Sequence, residues 1–182
     1  MASEDPLPCV RIRRATAADV AALVALEASI FPEDPFNGRQ VRYLVLRARG
    51  AVMVAIAGRQ CDGARLVGAA MVLWRRGGRS ARLYTLAVAP EARGRGVGTR
   101  LLSACEAAAA AAGCAAMRLE VRAANAGARA FYRGRGYRPI AILPGYYEGG
   151  GDGIRMGREL AAGQTARAPT GAAPHAVRHP RG

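Results

Sequence analysis

Two groups of residues in this chain could do chemistry. The first is Arg93-Gly94-Arg95-Gly96-Val97-Gly98, a glycine turn between the apolar run Leu83–Val88 and an Ala/Leu-rich stretch. Strand, glycine turn and helix start, in that order, present successive main-chain N–H groups to an anion. Gly96 and Gly98 let the backbone come close to a ligand, and the helix dipole adds partial positive charge at the same place. Phosphate oxygens are the natural ligand of such a nest. The second is Glu120, set in an apolar strand with Met117, Leu119 and Val121. A carboxylate there is costly without a partner or a task. Arg118 and Arg122 are its same-face neighbours along the strand. An ion pair on an exposed face and a proton-accepting role are both open readings.

Much other chemistry is excluded by residues the chain lacks. All 27 cationic side chains are arginine. Without lysine there is neither a Gly-Lys-Ser/Thr phosphate loop nor a Schiff base. Gly94, Gly96 and Gly98 alternate, which does not fit the G-x-G-x-x-G of dinucleotide folds. The two histidines, His175 and His179, lie at the extreme C-terminus, so a Ser-His-Asp or Cys-His site and a His-ligated metal are not expected. Cysteines 9, 61, 105 and 114 form no CxxC pair, and no metal is expected; Cys105 and Cys114 read as small packing residues. Carboxylates and phenols remain for proton transfer.

The pattern Arg93-x-x-Gly96-x-Gly98 resembles the acetyl-CoA signature of the GNAT N-acetyltransferase superfamily. Downstream follow Leu119-Glu120-Val121-Arg122, Asn125, Phe131-Tyr132, Gly136-Tyr137 and Tyr146-Tyr147. Their order resembles the branch that acetylates ribosomal-protein N-terminal alanines. The close resemblance covers Leu83 to about Met156, and a looser one reaches back to Val10. It implies acetyl-CoA as cosubstrate, Glu120 as general base and Tyr132 as general acid. The backbone of Leu86, Ala87 and Val88 would pair with the pantetheine arm. Arg93, Gly94, Arg95, Gly96, Val97, Gly98 and Thr99 would hold the pyrophosphate, and Asn125 would touch the cofactor. Phe31, Pro32, Tyr146 and Tyr147 would wall the acceptor, a protein or peptide α-amino group such as that of a ribosomal protein. A small-molecule amine or a lysine side chain is the alternative acceptor; a non-catalytic acyl-CoA- or RNA-binding module is the alternative class. Thr85-Leu86 departs from the family's Asn-Ile, and Gly149–Gly153 is unusually glycine-rich.

These residues need elements to position them. Val10–Arg14 reads as a strand, and Thr16 with Asp19 as a capping-box-like start for a helix over 17–30. Two prolines and a glycine make 31–38 a loop, and a second helix is expected over 39–49. Strands are expected over 51–57, 65–74 and 81–89, a helix over 97–112, and a strand over 115–122. A helix over 125–135 with Asn125 as N-cap and strands over 137–143 and 153–160 complete the domain. Periodicity alone supports a mixed α/β class. The resemblance implies the GNAT order β-α-α-β-β-β-α-β-α-β-β over residues 9–160, after a flexible 1–8. Residues 161–182, rich in Ala, Gly, Pro and Arg, read as a disordered tail carrying +3 of the net +14. With an acidic N-terminus and no long apolar run, a cytoplasmic, membrane-free protein is expected, as a monomer or weak homodimer. Direct nucleic-acid binding is not expected. So basic an enzyme would repel a basic acceptor unless Glu33, Asp34, Glu148 and Asp152 line the entrance.

Overall fold

The computed structural model describes residues 9–32, 35–58, 64–160 and the backbone of 177–178. The elements run β1 (Val10–Arg14), α1 (Val20–Ile30), α2 (Gly38–Leu46), β2 (Gly50–Ala57), β3 (Arg65–Trp74), β4 (Ser80–Val88), α3 (Val97–Ala111), β5 (Ala116–Arg122), α4 (Ala126–Arg133), β6 (Arg138–Tyr147), β7 (Gly151–Glu159) and β8 (Val177–Arg178). This is the expected order with one strand added. The strands form a mixed sheet ordered β1-β2-β3-β4-β5-β7-β6, with β8 paired to β4 off that path. Among the described strands only β4 and β5 run parallel. The carboxyl end of β4 therefore needs a crossover, and α3 supplies it.

Three differences from the sequence reading bear on the fold. The second helix ends at Leu46 rather than residue 49, because the chain must turn to begin β2 at Gly50. The sixth strand continues through Tyr147 rather than stopping at 143, since an irregular antiparallel register to β7 carries it past Pro144 and Gly145. Lastly, Val177–Arg178, inside the segment read as disordered, forms a strand on β4. The rest of that segment, residues 1–8, Glu33, Asp34 and Cys61 lie outside the described residues.

The core fills both sides of the sheet. Gly68 on β3 lies so close to α3 that an added Cβ would meet Leu101 and Val97 side chains at 3.0 and 3.3 Å. Thr85 stands opposite Met71, an odd number of residues from Gly68, and so points to the other face, where it meets Glu27 of α1. Helices α1 and α3 thus cover opposite faces. Cys105 and Cys114 are buried, the packing role expected of them. No helix among the described residues is long and apolar enough to cross a membrane.

Candidate active site

The site begins where two parallel strands part. β4 pairs with β5 only from Ser80 to Arg82, opposite Ala116 to Arg118. The next β4 register, against β3, is irregular: Val72 faces Leu83 and Met71 faces Thr85, leaving Tyr84 as an extra residue. Such a bulge bends its strand and increases the local twist. β4 therefore turns away from β5 and opens a slot between them. On its other edge, Leu86, Ala87 and Val88 stay paired with Ala70, Ala69 and Gly68.

Beyond the slot lies the glycine turn. Gly94 and Gly96 have φ of +73° and +74°, the left-handed region that glycine occupies without strain. A Cβ on either would meet nothing within 4 Å, so the turn faces open space. Gly96 caps α3, and the amides of Val97, Gly98 and Thr99 head the helix. The leading N–H groups of a helix have no partner within it. Arg93 folds back, its Nε donating to the Val88 carbonyl at 3.2 Å, which ties the turn to the end of β4. Arg95 is exposed. The Thr99 hydroxyl accepts from Arg135, whose guanidinium lies 3.6 Å over the Phe131 ring.

Glu120 is 2% exposed. The ion pairs it makes reach across to neighbouring strands rather than along its own. Arg82 Nε donates to Oε2 and Arg155 Nε to Oε1, both at 2.9 Å. Register explains the choice. Arg155 stands directly opposite Glu120 on β7, and Arg82 lies at the last β4–β5 pair, on the same face. A directly opposed residue such as Arg155 sits closer than neighbours two residues along the strand, and the long Arg82 side chain reaches Glu120 on the diagonal. Arg118 is left exposed, and Arg122 stacks 4.4 Å over the Tyr147 ring. Arg82 also donates to the Tyr146 hydroxyl at 2.7 Å and covers Tyr84 at 4.7 Å. The sheet therefore brings Arg82, Glu120, Arg155 and Tyr146 together at the mouth of the slot.

Tyr132 is wholly buried, its ring packed edge-on against Phe131 and Tyr137. Its hydroxyl has no hydrogen-bond partner among the described residues. Burial pushes its pKa far above the ordinary phenol value, so the hydroxyl stays protonated. Burial likewise raises Tyr146 and Tyr147, and the Tyr147 hydroxyl also lacks a partner among the described residues. Asn125 uses its Oδ1 to accept from the Ala128 amide at 2.9 Å, capping α4 as expected. Phe31 closes α1 half-buried against the core, and Pro32 is exposed. Glu148 is exposed, while Asp152 accepts from the Gly145 amide at 2.9 Å and braces the β6–β7 hairpin. Among the described residues no three His, Cys, Asp or Glu side chains gather as a metal site would require.

Sequence reasoning missed three of these residues. Arg82 and Arg155 were hidden because strand pairing is not written in either strand. Glu27, fully buried on α1, accepts from the Thr85 hydroxyl at 3.2 Å. The signal for it was the one that singled out Glu120, an acid among apolar positions.

The features suit an acyl-CoA. The glycine turn leaves room for a pyrophosphate, and the slot beside β4 has a strand edge that an amide-bearing arm could pair with. Comparison with known proteins agrees. The model of the acetyltransferase (GNAT) family matches residues 22–137. An uncharacterized N-acetyltransferase of Methanocaldococcus jannaschii is 47% identical over 75 residues, 41% of this chain and 48% of that protein. An uncharacterized protein of Mycobacterium leprae is 45% identical over 78 residues, 42% of this chain and 21% of that protein. The matched stretch thus spans about half of the first relative and about a fifth of the second. Among solved structures, the Escherichia coli ribosomal-protein-S18-alanine N-acetyltransferase superposes with a TM-score of 0.70 at 23% identity, over 88% of this chain and all of that one. Arabidopsis thaliana NAA60 in complex with acetyl-CoA gives 0.72 at 18%, over 84% of this chain and 99% of that one. Nourseothricin acetyltransferase gives 0.65 at 22%, over 84% of this chain and 99% of that one.

Proposed function

The chain belongs to the GNAT acetyltransferase family, and from that premise we propose that it transfers the acetyl group of acetyl-CoA to the α-amino group of a protein or peptide. The observation that carries the choice of acceptor is the charge at the slot's mouth. One carboxylate, Glu120, faces two guanidinium groups, Arg82 and Arg155, and Arg122 stands close by over Tyr147. Such a surplus of positive charge disfavours an ammonium ion and favours an uncharged amine. At pH 7.5 an α-amine with a pKa of about 7.8 is roughly one-third neutral, a lysine with a pKa of about 10.4 only about one part in a thousand.

The residues then have distinct tasks. The amides of Gly94 to Thr99 and the start of α3 hold the pyrophosphate. The β5-side edge of β4 from Leu86 to Val88 orders the pantetheine arm, and its main-chain N–H groups receive the oxyanion. The acceptor nitrogen attacks the thioester carbonyl, forming the amide as the C–S bond breaks. Glu120, held between Arg82 and Arg155, takes the proton from nitrogen through water. The orphaned Tyr132 hydroxyl supplies the proton to the departing thiolate. Asn125 steadies α4, which carries Tyr132. Phe31, Pro32, Tyr146 and Tyr147 wall the acceptor.

A peptide-library assay tests this reading. Peptides with one free α-amine and one internal lysine, incubated with acetyl-CoA and sequenced by mass spectrometry, should carry acetyl at the α-amine. Acetyl on lysine, or only on small-molecule amines added in parallel, would reject the assignment.

A further inference from the structure

Past Arg82 the edge of β4 has lost β5 as its partner, and unpaired N–H and C=O groups on a strand edge invite another strand. The structure answers with the chain's own C-terminal segment. Val177 pairs with Leu86 and Arg178 with Thr85, antiparallel, at the place where β5 has turned away. Leu86 is the first residue of the edge assigned above to the pantetheine arm. The same main-chain groups cannot serve both.

We propose that the C-terminal segment containing Val177–Arg178 is a self-docking strand that occupies the slot between β4 and β5 and is displaced by acetyl-CoA. The proposal rests on the acetyltransferase reading. Chain length permits it. Sixteen residues separate Leu160 from Val177, a reach of up to about 55 Å when extended. The distance to cover is far smaller. β7 ends at Glu159, opposite Ala116 at the foot of β5, and Thr85 lies three residues beyond the last β4–β5 pair at Arg82. Each strand residue advances about 3.3 Å. A pairing this short gives a contact that a tighter ligand can remove. Occupation by the segment lowers the fraction of chains ready to bind, which raises the apparent dissociation constant by the same factor.

The experiment uses the full chain and a Val177→Pro/Arg178→Pro double variant. Proline at both positions removes the N–H that the segment turns toward β4 and changes no residue of β1–β7 or of the helices. By calorimetry, the variant should bind acetyl-CoA about threefold to tenfold more tightly, the factor by which self-occupation weakens binding. Its kcat should match that of the parent, and the one amide of the Thr85–Leu86 pair that points away from β3 should exchange with deuterium faster in the absence of ligand. A synthetic peptide of residues 171–182, added to the variant, should raise the KM for acetyl-CoA without lowering the maximal rate. Equal affinities in the two chains overturn the proposal, as does competition of the peptide against the acceptor instead of acetyl-CoA. Failure of both chains to bind acetyl-CoA overturns the acetyltransferase reading itself, a result distinct from equal binding.

Discussion

At the scale of single residues, Tyr132 separates packing from chemistry. Its ring is held by Phe131 and Tyr137, while its hydroxyl has no partner among the described residues. A buried hydroxyl left unsatisfied costs about 1–3 kcal/mol. Tyr132→Phe keeps the ring and removes that cost, so urea denaturation should find the variant as stable as the parent or more so. Its kcat should nevertheless fall by about 10²-fold, the usual contribution of a positioned acid. Unchanged turnover would leave the tyrosine as core alone. Glu120 gives a companion expectation. Glu120→Gln should lower kcat by about 10²-fold with little change in acetyl-CoA affinity. The two residues differed in legibility. Glu120 was conspicuous because a charge interrupts an apolar strand, and Tyr132 was assigned by resemblance. What sequence could not supply was Glu120's company. Its visible neighbours, Arg118 and Arg122, were the wrong ones, because cross-strand register decides which arginines face it.

At the scale of elements, the site is built by a bulge and a helix start. The extra residue at Tyr84 parts β4 from β5, and Gly96 turns the chain into α3. Gly96→Ala tests the second device. An alanine at φ +74° costs about 1–2 kcal/mol in the left-handed region, with no clash, since the added Cβ meets open space. That Cβ would stand where the pyrophosphate is to lie. Acetyl-CoA affinity by calorimetry should fall by more than the stability loss explains, and a fully retained affinity would move the phosphates elsewhere. A separate device anchors the first helix. Both Asp19 carboxylate oxygens accept from Arg13 at 2.7 Å, which, as the leading cause, lowers its pKa to about 2. A depressed carboxylate stabilises the fold above its unfolded pKa and loses that contribution as pH falls through the folded value. Asp19→Asn should therefore cost about 2 kcal/mol at pH 7 in urea titrations, with the difference closing between about pH 4 and pH 2. The glycine turn, the capping residues and most strands were readable locally. The bulge was not, because it exists only as a mismatch between two strands distant in sequence.

At the scale of the whole molecule, a chain of net charge +14 meets a strongly anionic cosubstrate. Long-range attraction of this kind is screened by salt. The KM for acetyl-CoA should rise with ionic strength while kcat holds, and steady-state kinetics at two salt concentrations checks it. The family fold, with the sheet order that opens a slot beside β4, follows from motifs spread over most of the domain. The β8 pairing had no such signal, because two residues in an Ala-, Pro- and Arg-rich segment show no strand periodicity. The most direct test of the account is a calorimetric titration of the full-length chain with acetyl-CoA. The account predicts a saturable heat with one molecule bound per chain, weakened by Gly96→Ala and by added salt. A flat titration at millimolar acetyl-CoA would contradict it.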